Sequence, residues 1–350
     1  MSGGVDSSVA AAMLKEKGYE IIGVTMQVWP QDAPLPQGES GCCSLSAVND
    51  ARRVADILEI PHYVMNFRDE FEEKVIADFI ANYMGGRTPN PCIVCNKEIK
   101  FKSLLSKARA LEADYVATGH YARIDYDTDR GRYLLRKGID RGKDQSYVLY
   151  NLTQDQLGRT LFPLGPFTKD EIRSEANRLG LPVASKAESQ EICFIPDDDY
   201  RRFIKERVGS KIKPGNFVDR EGKVIGRHRG FSNYTIGQRK GLGLALGYPA
   251  YVVGIDVEKN TVIIGTEEDI FHRELVVEDN NYIAFERLEG PLQALVKIRY
   301  KAEEAPAEIA PLEGGRVKVK FDEPQRAITP GQSAVYYEKD VVLGGGIISS

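Results

Sequence analysis

Met1-Ser2-Gly3-Gly4-Val5-Asp6-Ser7-Ser8 is the stretch that most strongly determines how this chain folds. Glycine adopts positive φ angles at no steric cost and lets the backbone approach a ligand closely. The serines favour a helix N-terminus, and the apolar run at residues 9–14 predicts a helix that ends near Lys17 and Gly18. A glycine turn that leads into a helix binds phosphate, because unpaired N–H groups and the helix dipole both point at the anion. We call residues 1–7 the phosphate loop.

The phosphate loop lacks the Gly-Lys-Ser/Thr ending of a Walker-type loop. Ser-Gly-Gly-Val-Asp-Ser instead resembles the PP-loop of the N-type ATP pyrophosphatases, which cleave ATP between the α and β phosphates and adenylate a substrate oxygen. The alternative interpretation is a plain Gly-Ser turn before a helix. A PP-loop normally follows a β-strand, and only Met1 precedes this one. We therefore expect either that the start codon was assigned too late or that the first strand of the sheet is absent.

Composition is typical of a globular protein of two or three domains, with 350 residues, 42% hydrophobic and 28% charged. No apolar run is long enough to predict a transmembrane helix, so we expect no membrane partner. The phosphate loop occupies the position of a signal peptide, and five cysteines without such a leader favour catalysis or metal binding over structural disulfides. We therefore expect a cytoplasmic protein.

The formal net charge of −4 does not by itself indicate nucleic-acid binding, but the distribution of charge does. Between residues 201 and 240 there are twelve Lys and Arg and only three Asp and Glu. Such a basic segment is typical of contact with a phosphate backbone, and a solvated basic surface is the alternative.

Strand-like and helix-like segments alternate through the first half of the chain, which predicts a parallel sheet whose carboxyl ends carry the ligand site. Short β-rich runs separated by turn residues follow from about residue 213 and predict small barrels. The predicted fold class is thus α/β, a parallel-sheet PP-loop catalytic domain of the adenine-nucleotide α-hydrolase type, followed by two small β-rich domains, the last a β-barrel. The predicted domains are residues 1–208, 209–268 and 269–350. We predict strands at residues 21–26, 61–67, 115–118 and 292–300, helices at 46–58, 71–84, 97–111, 168–179 and 197–208, and a hairpin at 122–137.

Three cysteines carry the second signal. Cys92 and Cys95 form a Cys-x-x-Cys pair after two prolines, and a cysteine at a helix N-terminus beside Lys97 should be a good nucleophile. Cys193 is distant from the other two in the sequence. If the fold brings it to the Cys-x-x-Cys loop over an ATP site, the arrangement would suit sulfur chemistry. The alternatives are a buried apolar role for Cys193 and a zinc half-site at Cys-x-x-Cys, for which only the adjacent Cys42 and Cys43 could add ligands. We interpret those two as structural.

Eight motifs in order make the chain similar to the tRNA-specific 2-thiouridylase family, whose members thiolate the wobble uridine of tRNA. The matching segments are residues 2–8, 24–26, 88–101, 117–123, 143–147, 189–194, 237–243 and 324–332.

The resemblance implies a role for each matching residue. Cys95 would be the nucleophile, and Cys193 would carry a persulfide. ATP would contact Met1, Ser2, Gly3, Gly4, Val5, Asp6, Ser7, Met26 and Gly119. The tRNA would contact Asn90, Pro91, Cys92, His120, Lys143, Asp144, Gln145, Arg299, Tyr300 and Gln332.

The resemblance also implies the reaction and its participants. ATP with Mg²⁺ would adenylate the C2 oxygen of the uridine, which turns a poor leaving group into AMP, and sulfur would then attack C2. Cys95 would release the sulfur from the Cys193 persulfide and leave a disulfide. The partners would be tRNA and a sulfur-donor protein, either a cysteine desulfurase or a relay protein, and the enzyme would act as a monomer.

One position departs from the family pattern, because Cys92 stands where other members have an aspartate. A second hypothesis follows, in which Cys92, Cys95 and Cys193 hold a [4Fe–4S] cluster whose open iron binds hydrosulfide. Two further functions remain open from the residues alone. One is an amidotransferase-type synthetase with the same ATP chemistry, and the other is a non-catalytic tRNA-binding protein with a decayed nucleotide fold.

Overall fold

The structure is a computed structural model that describes residues 1–29, 45–186 and 192–349. Its helices are α1 (Val5–Glu16), α2 (Leu45–Ile57), α3 (Arg68–Phe71), α4 (Ala77–Met84), α5 (Pro91–Val94), α6 (Leu104–Ala110), α7 (Gln154–Gly158), α8 (Lys169–Arg178) and α9 (Tyr200–Val208). Its strands are β1 (Gly23–Gln27), β2 (His62–Asn66), β3 (Val116–Ala117), β4 (Ala122–Asp127), β5 (Arg132–Lys137), β6 (Thr160–Leu161), β7 (Gly215–Val218), β8 (Val224–His228), β9 (Tyr251–Asp256), β10 (Thr261–Gly265), β11 (Phe271–Tyr282), β12 (Leu292–Lys297), β13 (Ala305–Pro311), β14 (Val317–Arg326), β15 (Ser333–Glu338) and β16 (Val341–Ile348). π-helical turns at Glu72–Ile76 and Cys95–Ser103 join α3 to α4 and α5 to α6.

Two strand pairs in the first part of the chain are parallel, as the alternation of helices and strands predicts. β1 pairs with β2 from Gly23 opposite His62, and β3 pairs with β6. Within the described residues these are two separate two-stranded sheets. Met1 lies along β1, since its amino group donates to the Val24 carbonyl and its own carbonyl accepts a hydrogen bond of 2.7 Å from Thr25 Oγ1.

Helix α1 is buried on most of its surface, because its small side chains let neighbouring helices approach closely. Val9, Ala10 and Ala12 pack in one core with Val54 of α2 and Ile172 of α8. Burial on several sides fixes the position of its N-terminus, which forms the last part of the phosphate loop.

The rest of the chain is β-rich. Strands β8, β7, β10 and β9 form a four-stranded sheet in that order, with Phe217 and Val262 completely buried in its core. Strands β11, β14, β13, β12, β15 and β16 form a barrel that closes where β11 pairs with β16. The predicted fold class, α/β followed by β-rich domains ending in a barrel, is confirmed.

The hairpin β4–β5 is present as predicted, but it lies against the barrel rather than standing apart. β5 pairs with β16 where Arg136 lies opposite Val341, so the hairpin extends the barrel sheet. Asp340 receives hydrogen bonds from Arg123 at 2.8 Å and Arg136 at 3.0 Å, and Lys137 pairs with Glu304 at 2.6 Å. The first part of the chain and the barrel therefore share a sheet and a core.

Two predicted elements are shorter than expected. Helix α9 begins at Tyr200 rather than residue 197, because the Asp199 carboxylate caps it by accepting from the Arg202 N–H at 3.0 Å. Strand β12 ends at Lys297, so Arg299 and Tyr300 lie beyond the strand. Among the described residues, no helix is both long and apolar enough to cross a membrane.

Candidate active site

The phosphate loop folds back on itself at the start of α1. The Ser2 N–H donates to Ser7 Oγ at 3.0 Å, and Ser8 Oγ donates to the Gly4 carbonyl at 2.8 Å. Gly4 is the N-cap of α1, and no side chain among the described residues caps this helix. The N–H groups of its first turn are thus available to an anion, as the sequence predicts for this loop.

Gly3 is required by both its conformation and its surroundings. Its φ is +66°, and a Cβ there would lie 2.2 Å from the Ala47 carbonyl oxygen at the start of α2. Lys186 holds the same point, because its ammonium donates to the Gly3 carbonyl at 3.0 Å and pairs with Asp50 at 2.6 Å. The backbone of the loop is therefore fixed against α2.

Gly119 lies against the loop from the other side, shortly after β3. A Cβ at Gly119 would lie 2.8 Å from the Asp6 carbonyl carbon and 2.9 Å from the Ser7 nitrogen. Met26, near the end of β1, is partly buried. The structure thus brings Gly119 into contact with the phosphate loop and places Met26 near the carboxyl end of β1.

The carboxylate of Asp6 is held by two groups that sequence reasoning did not assign. Lys169 Nζ lies 2.8 and 2.9 Å from its two oxygens, and the Tyr121 hydroxyl donates to it at 2.8 Å. The side chain of Lys169 is only 8% exposed, whereas that of Asp6 is 34% exposed. Lys169 opens α8, far from the loop in sequence, and nothing in the sequence around it signals this contact.

Replacing Lys169 with Met is expected to weaken ATP binding. Without the buried ammonium, the negative charge of Asp6 would face the phosphates unbalanced. A charge-assisted hydrogen bond of this kind is worth about 1.5–3 kcal/mol, so we expect the Kd for ATP to rise by about 10- to 100-fold. Calorimetry with ATP measures this, with the exposed Lys259 changed to Met as the control. A Kd within twofold of the wild type would contradict this role of Lys169.

Cys92 and Cys95 lie on a helix that starts earlier than predicted. The predicted start was residue 97, but α5 begins at Pro91, because Pro suits the first helical position and Asn90 Oδ1 accepts the Cys92 N–H at 3.1 Å. Cys92 is exposed and Cys95 is half-buried. The helix widens into a π-helical turn at Cys95, a distortion that is frequent at functional sites.

Cys95 and Cys193 pack against the same buried apolar cluster, although they come from distant parts of the sequence. This apolar cluster includes Phe79 and Phe194, whose rings meet edge to face with centroids 5.4 Å apart. Met26 packs against it too. Three of the residues predicted for catalysis and ATP binding thus border one apolar cluster. Residues 187–191 and the adjacent Cys42 and Cys43 lie outside the described residues.

The described residues contain no group of three or more His, Cys, Asp or Glu side chains that could hold a metal ion. That finding concerns a single ion, whereas the thiolates of a [4Fe–4S] cluster bind different irons. A cluster held by Cys92, Cys95 and Cys193 therefore stays a prediction.

The predicted tRNA contacts at residues 143–145 form a tight turn. Asp144 accepts from the Gly138 and Ser146 N–H groups at 3.0 and 3.1 Å, and Gln145 Oε1 accepts from the Tyr121 N–H at 3.0 Å. Lys143 is half-buried at the start of this turn. Asp144 and Gln145 therefore shape the turn, and their contact with tRNA stays a prediction.

Arg299 and Tyr300 lie beside that turn. The Tyr300 ring is 38% exposed, and its centroid is 6.0 Å from that of the buried Tyr147. Lys297 Nζ lies 5.9 Å from the Tyr300 ring centroid. Burial and the nearby Arg326 lower the pKa of Arg299, whose guanidinium donates to the Arg326 carbonyl at 3.3 Å. The structure thus brings Tyr300 next to Tyr147, which follows the turn at residues 143–145, and next to the cation of Lys297.

His120 is a buried residue, although it is one of the predicted tRNA contacts. Its ring lies 6.0 Å from that of Phe101 and 5.8 Å from that of Phe162, and Nδ1 is 2.7 Å from Thr118 Oγ1. Burial, and to a lesser degree the charge of Lys100, hold the pKa of His120 well below its ordinary value. The imidazole is therefore neutral in the folded protein, and its contact with tRNA stays a prediction.

The buried His120 predicts a stability that falls in mild acid. Above about pH 6.5 the imidazole is neutral in both states. Below that pH the unfolded chain takes up a proton that the folded protein excludes, so the free energy of unfolding declines as pH falls. One such proton contributes up to about 1.4 kcal/mol per pH unit. Urea unfolding between pH 7.5 and 5.0 measures the slope.

Changing His120 to Phe is expected to make that slope smaller, because the ring keeps its aromatic neighbours and loses the proton site. The same change at the exposed His272 is the control. An unchanged slope in the His120→Phe protein would contradict this account.

Gln332 lies next to the segment that leads to the cysteines. Its amide Nε2 donates to the Thr88 carbonyl at 2.8 Å, two residues before Asn90. Pro91 is buried and Asn90 half-buried in the adjoining cap of α5. The structure thus brings Gln332 close to the predicted Asn90, Pro91 and Cys92 contacts.

Comparisons with known proteins match the chain from end to end. A family model described as the tRNA methyl transferase HUP domain matches residues 1–197. Models of a tRNA methyl transferase PRC-barrel domain and an aminomethyltransferase beta-barrel domain match residues 201–266 and 272–348. A protein of Moorella thermoacetica named tRNA-specific 2-thiouridylase MnmA is 62% identical over 350 residues, which are 100% of this chain and 98% of that protein. The chain belongs to the tRNA-specific 2-thiouridylase family.

Other 2-thiouridylase relatives match equally completely. Proteins of the same name from Acetivibrio thermocellus and Clostridium perfringens are 58% and 59% identical. They align over 99% and 100% of this chain and over 97% of their own lengths. The resemblance inferred from the motifs is therefore confirmed. Among solved structures, the NMN synthetase of Francisella tularensis aligns with 53% of this chain and over 63% of its own chain, at 16% identity and a TM-score of 0.33. This likeness is too weak to support an argument.

Proposed function

We propose that this protein uses ATP to replace the C2 oxygen of the wobble uridine of tRNA with sulfur taken from a cysteine persulfide. The observation that carries the proposal is the packing of Cys95 and Cys193 against one apolar cluster that also includes Met26. Two thiols that border one cluster with Met26, a predicted ATP contact, suit a reaction that activates an oxygen and then delivers sulfur. The names of the full-length relatives support the same conclusion.

In the first step, the C2 oxygen of the uridine attacks the α-phosphorus of ATP, and pyrophosphate leaves. The first-turn N–H groups of α1 would receive the negative charge of the departing phosphates. Lys169 would keep the Asp6 carboxylate in place beside them. Mg²⁺ takes most of its ligands from phosphates and water, and Asp6, one-third exposed on the loop, would supply the protein ligand.

In the second step, the thiolate of Cys95 attacks the inner sulfur of the Cys193 persulfide. The Cys95–Cys193 disulfide forms and hydrosulfide leaves. Hydrosulfide adds to C2 of the adenylated uridine, and AMP departs with the former C2 oxygen. A thiol reductant returns two electrons to the disulfide before the next cycle. The apolar surroundings of both cysteines would keep water from competing for the activated base.

The descriptions of two domain models mention methyl transfer, whereas the relatives are named for thiolation. Thiolation accounts better for the residues of this site. A methyl transfer requires neither a pyrophosphate-binding loop nor two cysteines on one cluster.

We further propose that residues 209–268 and 269–350 dock the tRNA against the catalytic domain formed by residues 1–208. The basic segment supports this role because many of its cations are exposed. They include Arg201, Lys205, Lys211, Lys213, Lys223, Arg227, Arg229, Arg239 and Lys240. Exposed Lys and Arg suit sequence-independent contacts with the phosphate backbone.

The setting that we propose is the cytoplasm, where unmodified tRNA, ATP and thiol reductants are present together. The protein would act as a monomer on tRNA. Its sulfur would come from a donor protein, either a cysteine desulfurase or a relay protein, that delivers a persulfide to Cys193.

The experiment that tests this function supplies the purified protein with unmodified tRNA, ATP, Mg²⁺, a reductant and a desulfurase with cysteine. Pyrophosphate release and 2-thiouridine in the digested tRNA are measured together. We expect both to depend on tRNA and ATP, and thiouridine to form at the wobble position. Tight tRNA binding without pyrophosphate release would indicate a non-catalytic binding protein. Pyrophosphate release without thiolation would indicate another member of the pyrophosphatase superfamily.

A further inference from the structure

The backbone of Thr88 is bound on both sides by the barrel. Its N–H donates to the Pro330 carbonyl at 2.9 Å, and its carbonyl accepts from Gln332 Nε2 at 2.8 Å. The loop between β14 and β15 thus holds Thr88 much as a neighbouring strand would. We call residues 86–90 the linker, since they connect α4 to α5.

The linker also meets the middle β-rich part of the chain. Thr88 Oγ1 lies 3.4 Å from Thr235 Oγ1. A Cβ at Gly86 would lie 2.8 Å from Val257 and 3.1 Å from Ile255, so this contact leaves no room for a side chain. The linker is therefore a place where all three parts of the chain touch.

Arg87 adds a charged contact between the linker and the barrel. Its guanidinium lies 3.1 Å from the Glu278 carboxylate on β11, and the two side chains are 42% and 33% exposed. Gly331 closes the contact, because its φ is +91° and a Cβ there would lie 2.9 Å from Arg87 Cβ and from the Thr88 nitrogen. The fit between linker and barrel is tight on both sides of Thr88.

The linker leads directly to the cysteines. Pro89 and Pro91 have fixed φ angles, which makes the step from Thr88 to the N-cap Asn90 stiff. Cys92 and Cys95 follow on α5 and its π-helical extension. Because this segment is stiff, a displacement of Thr88 relative to the barrel is expected to displace Cys92 and Cys95 as well.

We propose that Gln332 and Arg87 are positioning residues that let the barrel set the place of Cys95. The inference rests on the proposed function, in which Cys95 reacts while tRNA lies on the barrel. It differs from the family-based prediction, which assigns Gln332 to tRNA contact. A misplacement of about 1 Å at a reacting group can lower the rate about 100-fold. Even a small loosening of the linker is therefore expected to lower the rate of thiolation.

The first test uses Gln332→Glu, which keeps the size of the side chain but removes the donor to the Thr88 carbonyl. We expect kcat for thiolation to fall by about tenfold, with the Kd for tRNA and for ATP within about twofold of the wild type. Gln293→Glu is the matched control, an exposed glutamine on β12 of the same barrel. A weaker Kd for tRNA with kcat unchanged would overturn the inference and favour direct contact of Gln332 with tRNA.

The second test reverses the charges of the ion pair. Arg87→Glu and Glu278→Arg are each expected to lower kcat by about threefold to fivefold, since each puts like charges together. The double variant restores the attraction and is expected to recover at least about half of the wild-type kcat. A double variant no better than the worse single variant would overturn the inference for Arg87.

A third readout does not depend on thiolation. The rate at which iodoacetamide alkylates Cys95, followed by mass spectrometry, reports the surroundings of that thiol. We expect this rate to change in Gln332→Glu and in both single charge reversals, and to return in the double variant. Unchanged alkylation in all of them would overturn the inference. A wild-type protein that does not thiolate tRNA would instead overturn the proposed function, with the alkylation result still deciding the role of the linker.

Discussion

Cys193→Ser and Cys95→Ser proteins are expected to lose thiolation by at least about 1,000-fold while still releasing pyrophosphate when tRNA and ATP are present. The reason is that the two halves of the proposed reaction use different groups. Adenylation depends on the phosphate loop, whereas sulfur release needs one thiol to carry the persulfide and another to attack it. Serine has nearly the shape of cysteine, so the apolar cluster around both positions should be retained.

The measurement pairs 2-thiouridine formation with pyrophosphate release on the same samples. Cys92→Ser is the third arm, because Cys92 is exposed and lies one helical turn before Cys95. Under the persulfide route its loss should be no more than about tenfold, as expected of a proton relay or a bystander. Equal and complete loss from all three cysteines would contradict the persulfide route.

Gly119→Ala is expected to weaken ATP binding by about 10- to 100-fold. The added Cβ would lie 2.8 Å from the Asp6 carbonyl carbon and 2.9 Å from the Ser7 nitrogen, and both are backbone atoms of the phosphate loop. Backbone cannot move aside as a flexible side chain can. Either the loop shifts away from its anion-binding geometry or β3 is displaced, and overpacking of this kind typically costs about 1–3 kcal/mol.

Calorimetric titration with ATP measures the effect, and thermal unfolding shows whether the fold is retained. Gly290→Ala is the control, since a Cβ at Gly290 would meet nothing within 4 Å. An ATP affinity for Gly119→Ala equal to that of Gly290→Ala would show that this contact does not shape the phosphate site.

The features that could be predicted from the sequence depend on residues that are close together in the chain. The glycines of the phosphate loop and the helix after them are adjacent, so a turn, a helix N-terminus and an anion site follow from one short stretch. The capping box of α8 is local in the same way, because Thr168 and Glu171 bond to each other across one helical turn. The alternation of strands and helices likewise predicted the parallel pairing that is found between β1 and β2 and between β3 and β6.

What the sequence could not predict depends on contacts between distant segments. Lys169 is an ordinary residue at the start of a helix until the fold brings it to Asp6. His120 looks like a surface ligand after a strand, yet Phe101 and Phe162 enclose it. The early start of α5 is a different case, since Asn90 and Pro91 are local signals of a helix start that the predicted start at residue 97 leaves out.

The union of the hairpin with the barrel has a consequence for how this protein is made. Arg136 and Asp340 are 204 residues apart in the chain, so the hairpin leaves the ribosome long before the strand that covers its edge. At about 5–20 residues per second the delay is about 10–40 s. Throughout that time β5 presents an unpaired strand edge, which other nascent chains could pair with. A ribosome-bound chaperone would therefore matter most for this protein between the synthesis of its first part and the emergence of its last strand.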